Sequence, residues 1–373
     1  MANARHYIWQ HAGWTDFTWD SEEILSLLGQ CRLVQGKLLG KVIELGLTLD
    51  VHAHAEVLAE ETMNTSAIEG ELLDIRSVRS SVARRLGLPS AGLPVDRNVD
   101  GLVAVLIDAT INHDESLTAE RLHGWHAGLF PTGYSGMHKI RVGSWRGGEP
   151  MRIVSGPVGK ERVHFIAPPA DRIPEEMSRF LSWWDSSRGS MEGLIRAALG
   201  HFRFVTIHPF EDGNGRIARV LTDMALAQDD SQQHRYYSLS SQIMEERDRY
   251  YDVLEACQKG SSDITQWLVW FLGCFSRAID RSEMILSGVI TKANFWRKHA
   301  QTMLNDRQIK VINKLLDAGP DGFEGGLTTR KYASLTKVSK PTAFREISRL
   351  LELGIVRQNP GKGRSASYDL VWP

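Results

Sequence analysis

The chain has 373 residues, 42% of them hydrophobic, which is enough for a sizeable core and for two or three domains. Charged residues make up 24%, the net charge is −1 and the mean hydropathy is −0.25, so no whole-chain field draws it to nucleic acid or to a membrane surface. No apolar run approaches the ~18 residues that span a bilayer, and no basic stretch followed by an apolar one marks a signal peptide. Cys31, Cys257 and Cys274 lack CxxC spacing. A cytoplasmic protein without a disulfide framework, a zinc knuckle or a membrane partner is expected.

In chain order, Trp9, Trp14 and Trp19 crowd the N-terminal segment and are expected to pack into a core. Asp20 is a plausible N-cap before Glu22 and Glu23, and Ile24, Leu27, Leu28, Leu38 and Val42 follow with helical spacing. Further helices are expected over 52–68 and 71–86, with a Gly/Pro-rich break over 87–94. Helices then follow over 98–112 and 117–130, the latter capped by Thr118. Residues 131–169 change character. Met151–Val154 and Arg162–Ile166 read as the strands of a hairpin, with a turn-rich segment between them. Helical patterning returns over 174–184, 191–207, 214–228, 240–259 and 265–299.

From Asp306 the pattern is helix, a loop at 319–326, short helix, helix from Ser339, then two strands about a basic glycine turn. That order predicts a winged helix-turn-helix. It carries about five more positive than negative side chains. Thr342 and Arg345 are candidates to face a DNA groove, with Lys362 and Arg364 on the wing, so residues 306–370 are a candidate DNA partner surface.

The chemistry concentrates in His208-Pro209-Phe210-Glu211-Asp212-Gly213-Asn214-Gly215-Arg216-Ile217-Ala218-Arg219. Gly213-Asn214-Gly215 opens a helix whose first amides have no partner within it and attract anions. Arg216 and Arg219, three apart, lie near one face and can fork onto phosphate. Asp212 offers a hard oxygen to Mg²⁺, and His208 is a neutral-range base. A base, a metal ligand, a phosphate cradle and charge clamps are the parts that phosphoryl-type transfer needs.

This segment matches the Fic (Fido) family motif HPFx(D/E)GNGRxxR at every defined position, and the resemblance covers about residues 60–280. It implies a mainly α fold: a helical core with a β-hairpin flap, here followed by the winged helix-turn-helix. It implies transfer of AMP from ATP to a Ser, Thr or Tyr hydroxyl of a target protein, with Mg²⁺, and self-modification as a further outcome. Some relatives transfer UMP, phosphocholine or phosphate. By resemblance, His208 is the base, Asp212 the metal ligand, Gly213, Asn214 and Gly215 the anion nest, and Arg216 and Arg219 phosphate contacts. Tyr250 and Tyr251 fall where relatives set a Tyr pair against adenine, while Gln258 departs from an Asn of some relatives. The flap strand 162–166 is expected to hold the target by strand addition. Relatives often dimerise, so a homodimer is an expected partner.

Thr65-Ser66-Ala67-Ile68-Glu69-Gly70 resembles the family's inhibitory motif (S/T)xxxE(G/N). A bidentate Glu69–Arg219 pair would occupy the guanidinium that the γ-phosphate needs, and in some relatives this Glu also positions water to remove AMP, so the resemblance implies the reverse reaction as a further outcome at Glu69. The expected division is an N-terminal helical region with the inhibitory helix over 1–95, a Fic core over 96–300 and the winged helix over 301–373. The rival reading is a DNA-binding regulator whose core only senses nucleotide, and a third is an antitoxin-like regulator. The complete set of His208, Asp212, Arg216 and Arg219 favours the enzyme. His201, His164, His123, His126 and His138 lack metal-ligand spacing and read as structural or surface residues.

Overall fold

Helices form where caps and apolar stripes coincide. The computed structural model describes residues 7–45, 47–89, 92–148, 150–155, 162–319, 323–360 and 366–372. Its elements are α1 (Ser21–Leu45), α2 (Leu47–Ile68), α3 (Ile75–Arg85), α4 (Arg97–Ile111), α5 (Ala119–Leu129), β1 (Tyr134–Ser135), β2 (His138–Lys139), β3 (Arg152–Ser155) and β4 (Arg162–Ile166). There follow α6 (Ile173–Ser187), α7 (Gly193–Ile207), α8 (Asn214–Asp230), α9 (Leu239–Glu245), α10 (Arg247–Gln258) and α11 (Thr265–Lys298). Last come α12 (Asp306–Ala318), α13 (Thr329–Thr336), α14 (Lys340–Glu352), β5 (Val356–Gln358) and β6 (Tyr368–Leu370). The turn expected over 156–160, parts of the breaks at 87–94 and 319–326, and the wing residues Lys362 and Arg364 lie outside the described residues.

The chain divides into two compact units, one of Met1–Glu44 with Asp50–Ser282, the other of Leu45–Leu49 with Glu283–Pro373. In the first, α7 is enclosed on all sides, every residue from Leu194 to Ile207 being buried, Arg196, His201 and Arg203 included. A helix of that kind belongs at the centre of a bundle. α8 runs against it, buried along most of its length, and Trp267 of α11 donates its indole N–H to the Ala198 carbonyl at 2.9 Å. Thus the central pair α7–α8 fixes the loop between them, which is the loop that carries His208 to Gly213.

Asp20 and Thr118 cap as expected, their side chains accepting from the amides of Glu22 and Glu23, and of Arg121. The helix expected from 71 begins instead at Ile75, because Gly70 reverses the chain at φ +85° and Asp74 supplies the N-cap. The single helix expected over 240–259 is broken at Glu246 (φ −106°, ψ 26°) into α9 and α10. The Glu246 carboxylate there accepts from Gln242 and Arg277. β3 and β4 pair antiparallel as expected, with an irregularity between Ile153 and Val154. Of the N-terminal tryptophans, Trp14 is buried and donates to Glu176, half-buried Trp9 donates to the Ile166 carbonyl of β4, and Trp19 is half-buried.

α4 and α5 cross at glycines. A Cβ on Gly101 would lie 2.0 Å from the Gly128 carbonyl oxygen, which is backbone and has no rotamer with which to yield. Gly101→Ala is therefore expected to destabilise the unit by about 1–3 kcal/mol, read as a lowered Tm in thermal denaturation. In the second unit, α12, α13, α14 and the antiparallel pair β5–β6 enclose a core that includes Val311, Tyr332, Ile347 and Leu370, with an added bridge from Leu327 to Tyr368. Ser339 caps α14, which exposes Phe344 and Arg345 and leaves Thr342 half-buried.

Candidate active site

α7 ends at Ile207, and His208 takes the left-handed conformation (φ 53°, ψ 59°) that is uncommon for a residue with a Cβ. Three contacts hold it there. Its amide donates to the Phe204 carbonyl at 2.9 Å, its own carbonyl accepts from Arg146 Nε at 2.7 Å, and the Arg146 amide donates to the Pro209 carbonyl at 2.8 Å. Nδ1 of His208 lies 3.2 Å from the Val205 carbonyl, which can only accept. The proton therefore sits on Nδ1, and Nε2 keeps its lone pair. Burial pushes the imidazole down to about 4, with the Arg146 cation adding to the effect. The neutral, proton-accepting form is thus present above that value and lost as pH falls through it. The acid limb of any His208-dependent rate is expected well below the 6.5 of a free imidazole, read from an initial-rate pH profile. A limb at or above 6.5 would contradict this.

Beyond Pro209, the Phe210 ring is fully buried, stacked on His126 at 4.2 Å and tilted against Trp145. Asn214 staples the turn: its side-chain oxygen accepts from the Phe210 amide and its NH₂ donates to the Phe210 carbonyl, both at 2.9 Å. Its contribution to an anion nest is therefore its backbone, not its amide group. Gly213 sits at φ +79°, and a Cβ there would meet Phe130 at 2.8 Å. The first helical bond of α8 is from the Ile217 amide to the Gly213 carbonyl, so the amides of Asn214, Gly215 and Arg216 precede the ladder. Asp212 accepts from the Gly213 amide on one oxygen and from the Ser135 hydroxyl on the other. His126 braces the same loop from behind. Its Nδ1 accepts from the Gly143 amide, so Nε2 carries the proton and donates to the Asp212 carbonyl at 3.1 Å.

Arg219 is 2% exposed and gripped by the end of α2. Its Nε donates to the Thr65 hydroxyl at 2.7 Å, and its Nη2 donates to the Thr65 carbonyl at 2.9 Å and to Glu69 Oε1 at 2.7 Å. The expected bidentate Glu69–Arg219 pair is corrected to a single bond, because Thr65 takes the rest of that edge of the guanidinium. Nη1 is buried with no hydrogen-bond partner among the described residues. It faces the glycine turn, for a Cβ on Gly215 would lie 2.1 Å from Glu69 Oε1 and 3.2 Å from Arg219 Nη1. The Glu69 carboxylate thus lies over Gly215, in the seat an anion would take. Gly70 ends α2 in a Schellman turn, its amide donating to Ala67 and that of Glu71 to Ser66. Arg216 lies over the Phe130 ring at 4.8 Å and donates from Nη1 to Glu71 at 3.1 Å.

The tyrosines divide. Tyr250 is buried among His201, Trp267 and Trp270, with its hydroxyl 2.9 Å from His201 Nε2, so its ring packs in the core rather than offering a face to a purine. His201 Nδ1 is 3.0 Å from the Thr222 hydroxyl, whose own proton goes to the Ala218 carbonyl, so His201 is neutral and Tyr250 donates to it. Burial takes His201 to about 3. Tyr251, half-buried, brings its hydroxyl to 3.5 Å from the Ile68 carbonyl at the end of α2. Gln258 is buried and donates to Thr206. Sequence reasoning missed Arg146, Ser135, Glu71 and the bracing role of His126. Only Glu71 left a trace, as a second acid one residue past Gly70.

Residues 116–226 match the Fic/DOC family, and residues 7–88 match a domain of unknown function, DUF4172. The chain carries a Fic/DOC-family domain, with the His208–Arg219 loop inside it. The chain is 27% identical over 238 residues to the protein adenylyltransferase Fic of Culex quinquefasciatus, covering 61% of this chain and 42% of that one. It is 39% identical over 67 residues to a uridine 5′-monophosphate transferase of Xanthomonas campestris, covering 16% and 12% of the two chains. A Fic family protein from Desulfovibrio desulfuricans shares its fold, with a TM-score of 0.55 at 19% identity over 94% of this chain and 97% of that one. The chain spans less than half the length of the curated relatives named here.

Proposed function

We propose that the protein is an autoinhibited adenylyltransferase that moves AMP from ATP to a Ser, Thr or Tyr hydroxyl of a target protein. The observation that carries this is the seat over Gly215, where an unpartnered buried arginine nitrogen meets pre-ladder amides, at the end of the loop that begins with an imidazole whose Nε2 keeps its lone pair. His208 Nε2 would take the hydroxyl proton. The hydroxyl oxygen would then bond to the α-phosphorus, the bond from that phosphorus to the bridging oxygen would break, and pyrophosphate would leave. Arg216, Arg219 and the amides of the glycine turn would hold the phosphates in line. Magnesium fits Asp212: it is one hard carboxylate oriented by Ser135 and Gly213, and no cluster of three metal-binding side chains occurs among the described residues. That donor set suits an ion arriving on the nucleotide, which would neutralise phosphate charge there.

Incubating the Glu69→Gly variant in lysate with ATP labelled in the α-phosphate, and in parallel in the γ-phosphate, tests the reading. Label retained on protein only from the α-position supports it, and retention of γ-label would replace it with phosphoryl transfer. Parallel incubation with UTP separates AMP from UMP transfer, the alternative that the Xanthomonas relative's name raises. Residues 96–300 are proposed as the catalytic core, of which those from 283 on fall in the second compact unit. Three buried free cysteines support a reducing, cytoplasmic setting, and no helix among the described residues is long and apolar enough to cross a membrane. The order of α12, α13, α14 and the β5–β6 pair supports a winged helix over 301–373, where duplex binding is tested by gel shift at two salt concentrations.

A further inference from the structure

We propose that Glu71 is a second carboxylate of the inhibitory device, holding Arg216 as Glu69 holds Arg219, so that both arginines of the motif are withheld from phosphate together. This rests on the adenylyltransferase reading and specifies how that site is regulated.

The pairing follows from one turn of backbone. The Schellman hydrogen bonds fix the amides of Gly70 and Glu71 to the last turn of α2, and Gly70 at φ +85° turns the chain so that acids on both sides of it face α8. On α8, Arg216 and Arg219 are three residues apart and lie on adjacent parts of one face. The sequence Glu69-Gly70-Glu71 therefore meets Arg216 and Arg219 as two parallel pairs, at 2.7 Å for Glu69–Arg219 and 3.1 Å for Glu71–Arg216. Arg216 is enclosed, its side chain 9% exposed, whereas that of Glu71 is 43% exposed. Removing the acid thus needs little rearrangement, while the cation stays in place over Phe130. Arg216 Nε is buried without a hydrogen-bond partner among the described residues, so Glu71 leaves the guanidinium with donor capacity unspent. With both acids docked, the mouth of α8 presents two neutralised pairs to an incoming triphosphate. With Glu69 alone removed, one guanidinium remains masked.

The test uses the full chain as Glu69→Gly, Glu71→Gln and the double variant. MgATP and adenosine affinities are measured by calorimetry, and self-AMPylation by mass spectrometry. In the Glu69→Gly background, Glu71→Gln is expected to tighten MgATP by about three- to tenfold, to raise the initial rate by a similar factor and to leave adenosine unchanged. If Glu71→Gln lowers the Tm, Glu71→Ala carries the same comparison. Equal MgATP affinity and rate in Glu69→Gly and the double variant overturn the proposal, as does an equal gain for adenosine. If the double variant binds MgATP more tightly yet transfers nothing, the role of Glu71 stands and the transferase reading falls. If no variant binds MgATP, both fall.

Discussion

Replacing Glu69 by glycine is expected to raise self-AMPylation by about ten- to a hundredfold. The contact removed is one charge-assisted hydrogen bond to a buried guanidinium, of the kind worth about 1.5–3 kcal/mol. The same carboxylate oxygen sits over Gly215, so its departure both frees Arg219 and empties the seat beside it. Because Thr65 still accepts from Arg219, the guanidinium keeps its position when the acid is gone. The change should therefore appear as a gain of function accompanied by a lowered Tm, because the buried guanidinium loses its carboxylate partner. The measurement is intact-mass spectrometry after incubation with ATP and Mg²⁺. No species bearing an added AMP in this variant would remove the ground for the adenylyltransferase reading.

The opposite effect is expected at His208. His208→Ala in the Glu69→Gly background should lower the transfer rate by about 10²- to 10⁴-fold, the usual contribution of a positioned general base. Nucleotide affinity should survive, since Arg216, Arg219 and the glycine turn are untouched. Loss of MgATP binding in parallel with loss of transfer would instead assign His208 to binding or to the architecture of the loop. The left-handed backbone at 208 makes that comparison necessary, because alanine tolerates φ 53° no better than histidine does. His208→Asn, whose side chain is better suited to that conformation and whose amide is no base at pH 7, is a second variant that should also be inactive.

The sequence displayed the chemistry more plainly than it displayed its supports. His208, Asp212 and the two arginines are legible because they fall within twelve consecutive residues, the loop after α7 and the first turns of α8. Thr65 and Glu69 are legible because a helix end and a glycine leave a local pattern. Arg146, Ser135 and His126 reach the loop across 62, 77 and 86 residues, and no periodicity records such contacts. Tyr250 shows the reverse failure. Its position in the chain suits a purine neighbour, but His201, Trp267 and Trp270 already enclose it, which only packing reveals. The hairpin and most helix starts were readable from alternation and caps. The break at Glu246 was not, since nothing in the local composition interrupts the helical pattern.

Arg219 is anchored along one edge, where the Thr65 hydroxyl and carbonyl both accept from it. A guanidinium so moored has no freedom to swing toward or away from a ligand. If Glu69 inhibits as proposed, its release is expected to begin at the last turn of α2, visible as faster amide exchange at residues 66–71 while α8 stays silent.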